Sequence, residues 1–158
     1  MKTVPSKPPR SRRVDLLKSA LPLFSERGLR ATTTRELAEA AGVSEPILYV
    51  HFHTKLGLFR SATVLASVGR RVVLERSLSR GLSIKEVVAT VRDVYESDSR
   101  GVRLATWGLL EDREWTLRLF RREEHAVARH LRSAGAANAT EVARLCLAAV
   151  FYGELAQS

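Results

Sequence analysis

A single cysteine, Cys146, excludes any disulfide within this 158-residue chain and fits a reducing cytoplasm. The sequence also lacks the strict apolar-polar alternation of a half-buried strand, so an all-α fold is expected. Its opening, MKTVPSKPPRSRR, is polar and proline-rich with no apolar run behind it, so neither a signal peptide nor a membrane anchor is expected. Missing as well are a glycine-rich phosphate loop ending in Gly-Lys-Ser/Thr, a His-Glu-x-x-His string and a Gly-x-Ser-x-Gly string, and no enzyme is expected. Acidic residues are scarce, 17 against 26 lysines and arginines, for a net charge of +9. That deficit is uneven: through Arg60 there are eleven basic and five acidic residues, and the remaining 98 residues carry only +3. A basic excess gathered at one end suits a surface that meets a polyanion.

The chain is organised around residues 32–59, TTTRELAEAAGVSEPILYVHFHTKLGLF. Thr33 and Glu36 form a capping box in which each side chain satisfies the other's backbone N–H, so a helix is expected to start near Thr34. Leu37, Ala38 and Ala41 give it a narrow face of small apolar residues. Gly42 ends it in the left-handed conformation, and Val43 plugs the corner. Ser44 is expected to cap the next helix, with Glu45 near the positive end of its dipole and Pro46 where no backbone donor is used. Ile47 and Leu48 turn inward, which leaves Glu45, Pro46, Tyr49, Val50 and His51 on or near the outer side. Two short helices about a tight turn present the second of them to the major groove of DNA.

With LLKSALPLFSERGLRAT before it, this string resembles the DNA-binding core of the TetR (tetracycline repressor-like) family of transcriptional regulators over residues 11–60. Phe24, Gly28, Thr33, Ala38, Gly42, Val43, Ser44, Tyr49, Phe52, Lys55 and Phe59 all stand in register. The resemblance implies a homodimer whose C-terminal bundle dimerises, encloses a small apolar effector and swings two reading heads. It implies an operator with inverted half-sites about one helical turn apart or somewhat more. Repression released by the effector is the expected mode. A ligand-independent DNA-binding accessory factor and a helical protein-protein interaction module are the alternatives.

The organisation expected is a disordered basic arm (1–10), a helix-turn-helix domain (11–54) and a helical ligand-binding and dimerisation domain (55–158). The first helix should span residues 11–27 on Val14, Leu17, Leu21 and Phe24, kink at Pro22 and close at Gly28. Thr54 caps a lever helix through residue 77. A break around Gly81 precedes a second capping box, Ser83 with Glu86, opening a helix to about residue 97. Another break is expected at Gly101, before an apolar stretch at 102–110. Residues 112–133 should form an amphipathic helix with Trp115, Leu119, Ala126 and His130 inward, and Arg118, Arg121, Arg122, Glu123 and Arg129 on a solvated face. A turn at 135–138 leads to a last helix at 140–155. Its apolar residues, among them Val142, Leu145, Cys146 and Tyr152, need two covered sides, one of them a partner subunit.

Candidate DNA contacts are Thr33, Thr34, Arg35, Ser44, Glu45, Pro46, Tyr49, His51 and Lys55. Hydroxyls and helix starts bind phosphate, and the first turns of a recognition helix meet base edges. By the resemblance, His51 and Lys55 match family positions that contact the backbone. Candidate effector contacts are Tyr95, Trp107 and Trp115, which as plain core aromatics would need no ligand. His51 and His53 have no third ligand nearby, so no metal is expected, and no cofactor is. The run Glu123, Glu124, His125 spreads around a helix and is read as surface.

Overall fold

A computed structural model describes residues 9–78 and 81–155, with side chains at 12–78 and 81–151. The expected arm at 1–8 and positions 79–80 of the expected break lie outside the described residues. Every element among those described is a helix: α1 (Pro9–Ala31), α2 (Thr34–Ala40), α3 (Glu45–Phe52), α4 (Lys55–Ser77), α5 (Ile84–Glu96), α6 (Ser99–Glu111), α7 (Arg113–Ser133) and α8 (Ala139–Leu155). No helix among the described residues is long and apolar enough to cross a membrane.

Local chemistry sets most of the boundaries. Both capping boxes form, Thr33 with Glu36 and Ser83 with Glu86. At the end of α2 the N–H of Gly42 bonds the Glu39 carbonyl and that of Val43 the Ala38 carbonyl, a paired closure that Gly42 permits with φ 63°. Thr54 caps α4 by accepting from the Gly57 N–H at 2.9 Å.

Several expectations are corrected. α1 starts at Pro9, where a first-turn proline loses no bond, and so takes in the last two residues assigned to the arm. Its break is at Gly28 (φ 73°, ψ −175°) and not at Pro22, and the helix resumes beyond it to Ala31. Gly101 interrupts nothing. It lies in the first turn of α6, where its N–H donates to the capping Asp98 carboxylate at 3.2 Å, and a Cβ there would stand 2.1 Å from Asp98 Oδ2.

The inward face of α7 is offset by one position from the expected one. Thr116, Phe120, Glu123, Val127 and Leu131 are buried, whereas Trp115, Leu119 and His130 are half-buried. Glu123, assigned to the solvated face, is therefore inside at 1% exposure.

The helices enclose two apolar centres. One joins Leu16, Leu17, Ala20 and Phe24 of α1 to Leu37, Ala38, Leu48 and Phe52 of α2 and α3 and to Leu58, Phe59 and Ala62 of α4. Phe24 and Phe59 meet edge to face at 5.2 Å, and α6 inserts Leu104 into the same centre. The other centre is built from α4 to α8 around Leu74, Val91, Tyr95, Phe120, Val127, Leu131 and Phe151. Ala139, Ala143, Leu147 and Phe151 recur every four residues as the buried stripe of α8. Leu145, on another side of α8, is 63% exposed.

Candidate nucleic-acid interface

The start of α2 is held by reciprocal bonds. The Glu36 N–H donates to Thr33 Oγ1 at 3.2 Å, and the Thr33 N–H donates to Glu36 Oε2 at 2.8 Å. Bonds from the Thr33 backbone and hydroxyl, with Arg27 nearby, hold the Glu36 carboxyl below its ordinary value of 4.5. A carboxylate whose folded-state pKa is lowered adds stability above the ordinary carboxylate range and loses it as pH falls through the folded value. Thr33→Ala removes the cap and is expected to lower stability at neutral pH. Urea unfolding at several pH values should show that deficit shrinking as the solution turns acid.

One bond ties the two turn helices together. Thr34 Oγ1 donates to Glu45 Oε2 at 2.6 Å, so the Glu45 carboxylate is engaged within the protein across the corner. Ser44 takes the extended conformation of a capping residue, but its side chain makes no capping bond, which corrects that expectation. Pro46 falls in the first turn, where its missing N–H costs nothing. Arg35 is exposed at 81% and pairs with Glu39 one turn along α2 at 2.9 Å.

From this corner α3 drops Leu48 and Phe52 into the core, each 4% exposed. Its opposite side stands free, with Pro46 exposed, Tyr49 at 45% and Val50 at 74%. The far end is fastened from α1. Arg13 donates from Nη1 to the His51 carbonyl at 2.9 Å, and its guanidinium lies 4.7 Å from the centre of the Phe52 ring. A cation at a helix C-terminus is favourable because the last carbonyls lack helical partners. His53 closes the helix with φ 62°, its N–H donating to the Tyr49 carbonyl at 2.8 Å.

Lys55 is half-buried and donates from Nζ to the Thr32 carbonyl at 2.8 Å. It locks the start of α4 to the end of α1.

The structure brings Thr33, Thr34 and Arg35 to the start of α2. Beside them, along the next helix, lie Ser44, Pro46, Tyr49 and the half-buried His51. Val50 joins this surface by its exposure, and an apolar side chain there suits a thymine methyl. Arg13 was not singled out in the sequence because its partner lies 38 positions away and no local spacing signals it.

The three aromatic candidates occupy separate surroundings. Tyr95 is 1% exposed and its hydroxyl donates to the buried Glu123 carboxylate. Burial, chiefly, and then Glu123 push its pKa up. Trp107 lies against Gly28. Trp115 sits 5.4 Å from the Arg60 guanidinium and lines an open groove of about 420 Å³.

The family model described as bacterial regulatory proteins, tetR family, matches residues 16–62, which run from α1 into α4 and contain the corner just described. Over that stretch the chain matches the TetR family. It is 38% identical over 98 residues to the HTH-type transcriptional activator FasR of Mycolicibacterium smegmatis, covering 59% of this chain and 44% of that protein. With the HTH-type transcriptional repressor KstR2 of Rhodococcus jostii it shares 57% identity over 44 residues, 28% of this chain and 22% of that one. The matched stretches thus span less than half the length of these two relatives.

The fold is TetR-like throughout. The crystal structure of AibR, in complex with isovaleryl coenzyme A and operator DNA, superposes with a TM-score of 0.71 at 17% identity, over 91% of this chain and 86% of that one. Members of the TetR family are transcription regulators and not enzymes.

Proposed function

We propose that this protein regulates transcription by binding double-stranded operator DNA as a homodimer, acting as a repressor that a small apolar effector releases. The observation that carries the reading is the free outer side of α3, Pro46, Tyr49 and Val50, on a helix fixed from below by Leu48 and Phe52. A short helix anchored on one side and bare on the other has the geometry of a major-groove reader.

The supporting contacts follow from position. Thr33, Thr34 and Arg35 meet phosphate at the start of α2, where backbone N–H groups and a cation favour an anion. Ser44, Pro46, Tyr49 and Val50 approach the base edges, and Glu45 keeps the corner closed through Thr34. His51 lies at the backbone side. Lys55 stands there too, with one of its donors committed to Thr32.

In this reading residues 11–54 are the reading head. Residues 55–158 form the regulatory unit, with Tyr95, Trp107 and Trp115 as its candidate effector contacts. The exposed Leu145 on α8 supports a partner subunit there. FasR is named an activator and KstR2 a repressor, and AibR was solved with isovaleryl coenzyme A and operator DNA. A head of this kind serves either sign of control.

Selection of bound sequences from random duplexes tests the proposal. The expected outcome is a palindromic consensus with half-sites about one turn apart or somewhat more. Sequence-independent binding, or none, would favour a protein-interaction module. On the selected duplex, Arg35→Ala should weaken binding and reduce the slope of log affinity against log salt by about one, because one phosphate contact releases about one counterion. An unchanged slope would remove Arg35 from the interface.

A further inference from the structure

We infer that the groove between α1, α4 and α7 is a binding site for an amphiphilic anion, a single carboxylate on a short apolar chain. The groove is about 420 Å³, within the roughly 300–1,000 Å³ of small-molecule sites. Its apolar wall comes from Leu17 of α1, from Val64 and Val68 one turn apart on α4, and from Trp115 of α7. Val64 and Val68 remain 38% and 40% exposed, so apolar surface is left uncovered. Arg13 and Arg60 line the same groove, and no acidic side chain does.

Neither guanidinium is used up. Arg13 gives one N–H to the His51 carbonyl, and Arg60 gives two to Asp112, from Nε at 2.7 Å and from Nη2 at 3.0 Å. An apolar trough with two cations and no carboxylate selects a molecule with an apolar body and one negative end. A neutral chain gains no charge-assisted bond from the donors that Arg13 and Arg60 keep beyond His51 and Asp112, and a cationic one is repelled.

The site also has a lever on α3. Arg13 is the side chain that holds the His51 carbonyl and covers Phe52. A ligand carboxylate that draws Arg13 toward the groove competes with that bond and loosens the end of α3. Binding itself is independent of the regulator reading, whereas its effect on DNA rests on that reading.

The full chain is titrated with octanoate, octanol and octylamine, read by calorimetry and by tryptophan fluorescence. Octanoate should bind saturably at one per chain, and octanol and octylamine at least tenfold more weakly. Val68→Asp, at an exposed position, should weaken octanoate at least tenfold with the melting temperature unchanged. Trp115→Phe should abolish the fluorescence response and weaken octanoate binding measured by calorimetry.

Equal affinity for octanol, an octanoate affinity unaffected by Val68→Asp, or no saturable binding would each overturn the site. So would a dimer that Val68→Asp dissociates and octanoate does not perturb, because a second copy would then be the occupant. Where the chain binds a selected duplex, saturating octanoate should lower DNA affinity at least fivefold. A chain that takes octanoate and ignores every duplex would keep the site and defeat the regulator reading.

Discussion

Replacing Glu123 with alanine is expected to destabilise the protein by about 3–5 kcal/mol, because it leaves a buried guanidinium without its principal counter-charge. Arg70 is 4% exposed and Glu123 1%. Arg70 Nη2 lies 3.0 Å from Glu123 Oε1, and Nη1 lies 2.9 Å from Asp98 Oδ2. The Arg70 guanidinium stands 4.6 Å from the Tyr95 ring centre, and the hydroxyls of Ser67 and Tyr95 also donate to Glu123.

Burial by itself disfavours the charged arginine, yet Glu123, Tyr95 and Asp98 outweigh it and raise its pKa. Among the described residues Arg70 Nε has no hydrogen-bond partner, and with Glu123 gone the carboxylate left beside the guanidinium is the partly exposed Asp98. Through it α4 is tied to α5, to the cap of α6 and to α7.

The double change Arg70→Met with Glu123→Leu removes both charges together, and it should cost less than Glu123→Ala alone. Urea unfolding of these two variants beside the parent protein at neutral pH decides the matter. If the single change cost under about 1 kcal/mol, the value of an exposed pair, the cluster would not be the buried tie described.

Gly28→Ala is expected to cost about 2–5 kcal/mol from two separate sources. At φ 73° any side chain adds roughly 1–2 kcal/mol of backbone strain. The new Cβ would stand 2.8 Å from Trp107 Cδ2 and Cε3, an overlap that adds roughly 1–3 kcal/mol. For a chain of this length such a loss lowers the melting temperature by about 4–20 °C.

The site is the joint between α1 and α6. Just past Gly28, the Leu29 N–H donates to Glu111 Oε2 at 2.6 Å and the Arg30 N–H to Oε1 at 3.2 Å, so the end of α6 caps the resumed turn of α1. Gly28→Ala combined with Trp107→Leu should recover the steric part and keep the backbone part. Full additivity of the two changes would mean that Trp107 does not press on Gly28.

The parts legible in the sequence are those that short-range chemistry decides. Capping boxes three residues apart, glycine stops and the stripes of α1 and α4 need no knowledge of distant partners, and those helices fall within a few residues of expectation. The misplaced parts depend on tertiary neighbours. Glu123 stands in an arginine-rich run and looks solvated, but the stripe through Thr116, Phe120, Val127 and Leu131 carries it inside to meet Arg70. Proline at 22 kept its helix, while glycine at 28 broke it by making room for Trp107.

In the reading head, the outer side of α3 was legible because Ile47 and Leu48 fix its inner side. Arg13 and the engagement of Glu45 by Thr34 were not, since each requires two segments to be folded together first. Leu104 joins the apolar centre of the head from far along the chain, a closure that no local pattern announces.

The central claim is that the bare side of α3 faces a duplex, and chemical-shift mapping of the full chain against its selected duplex tests it most directly. The largest changes are expected at Thr33, Thr34 and Arg35 and at Pro46, Tyr49 and Val50, with Tyr49→Ala weakening the complex. Changes confined to α5 through α8, or a Tyr49→Ala complex as tight as the original, would contradict it.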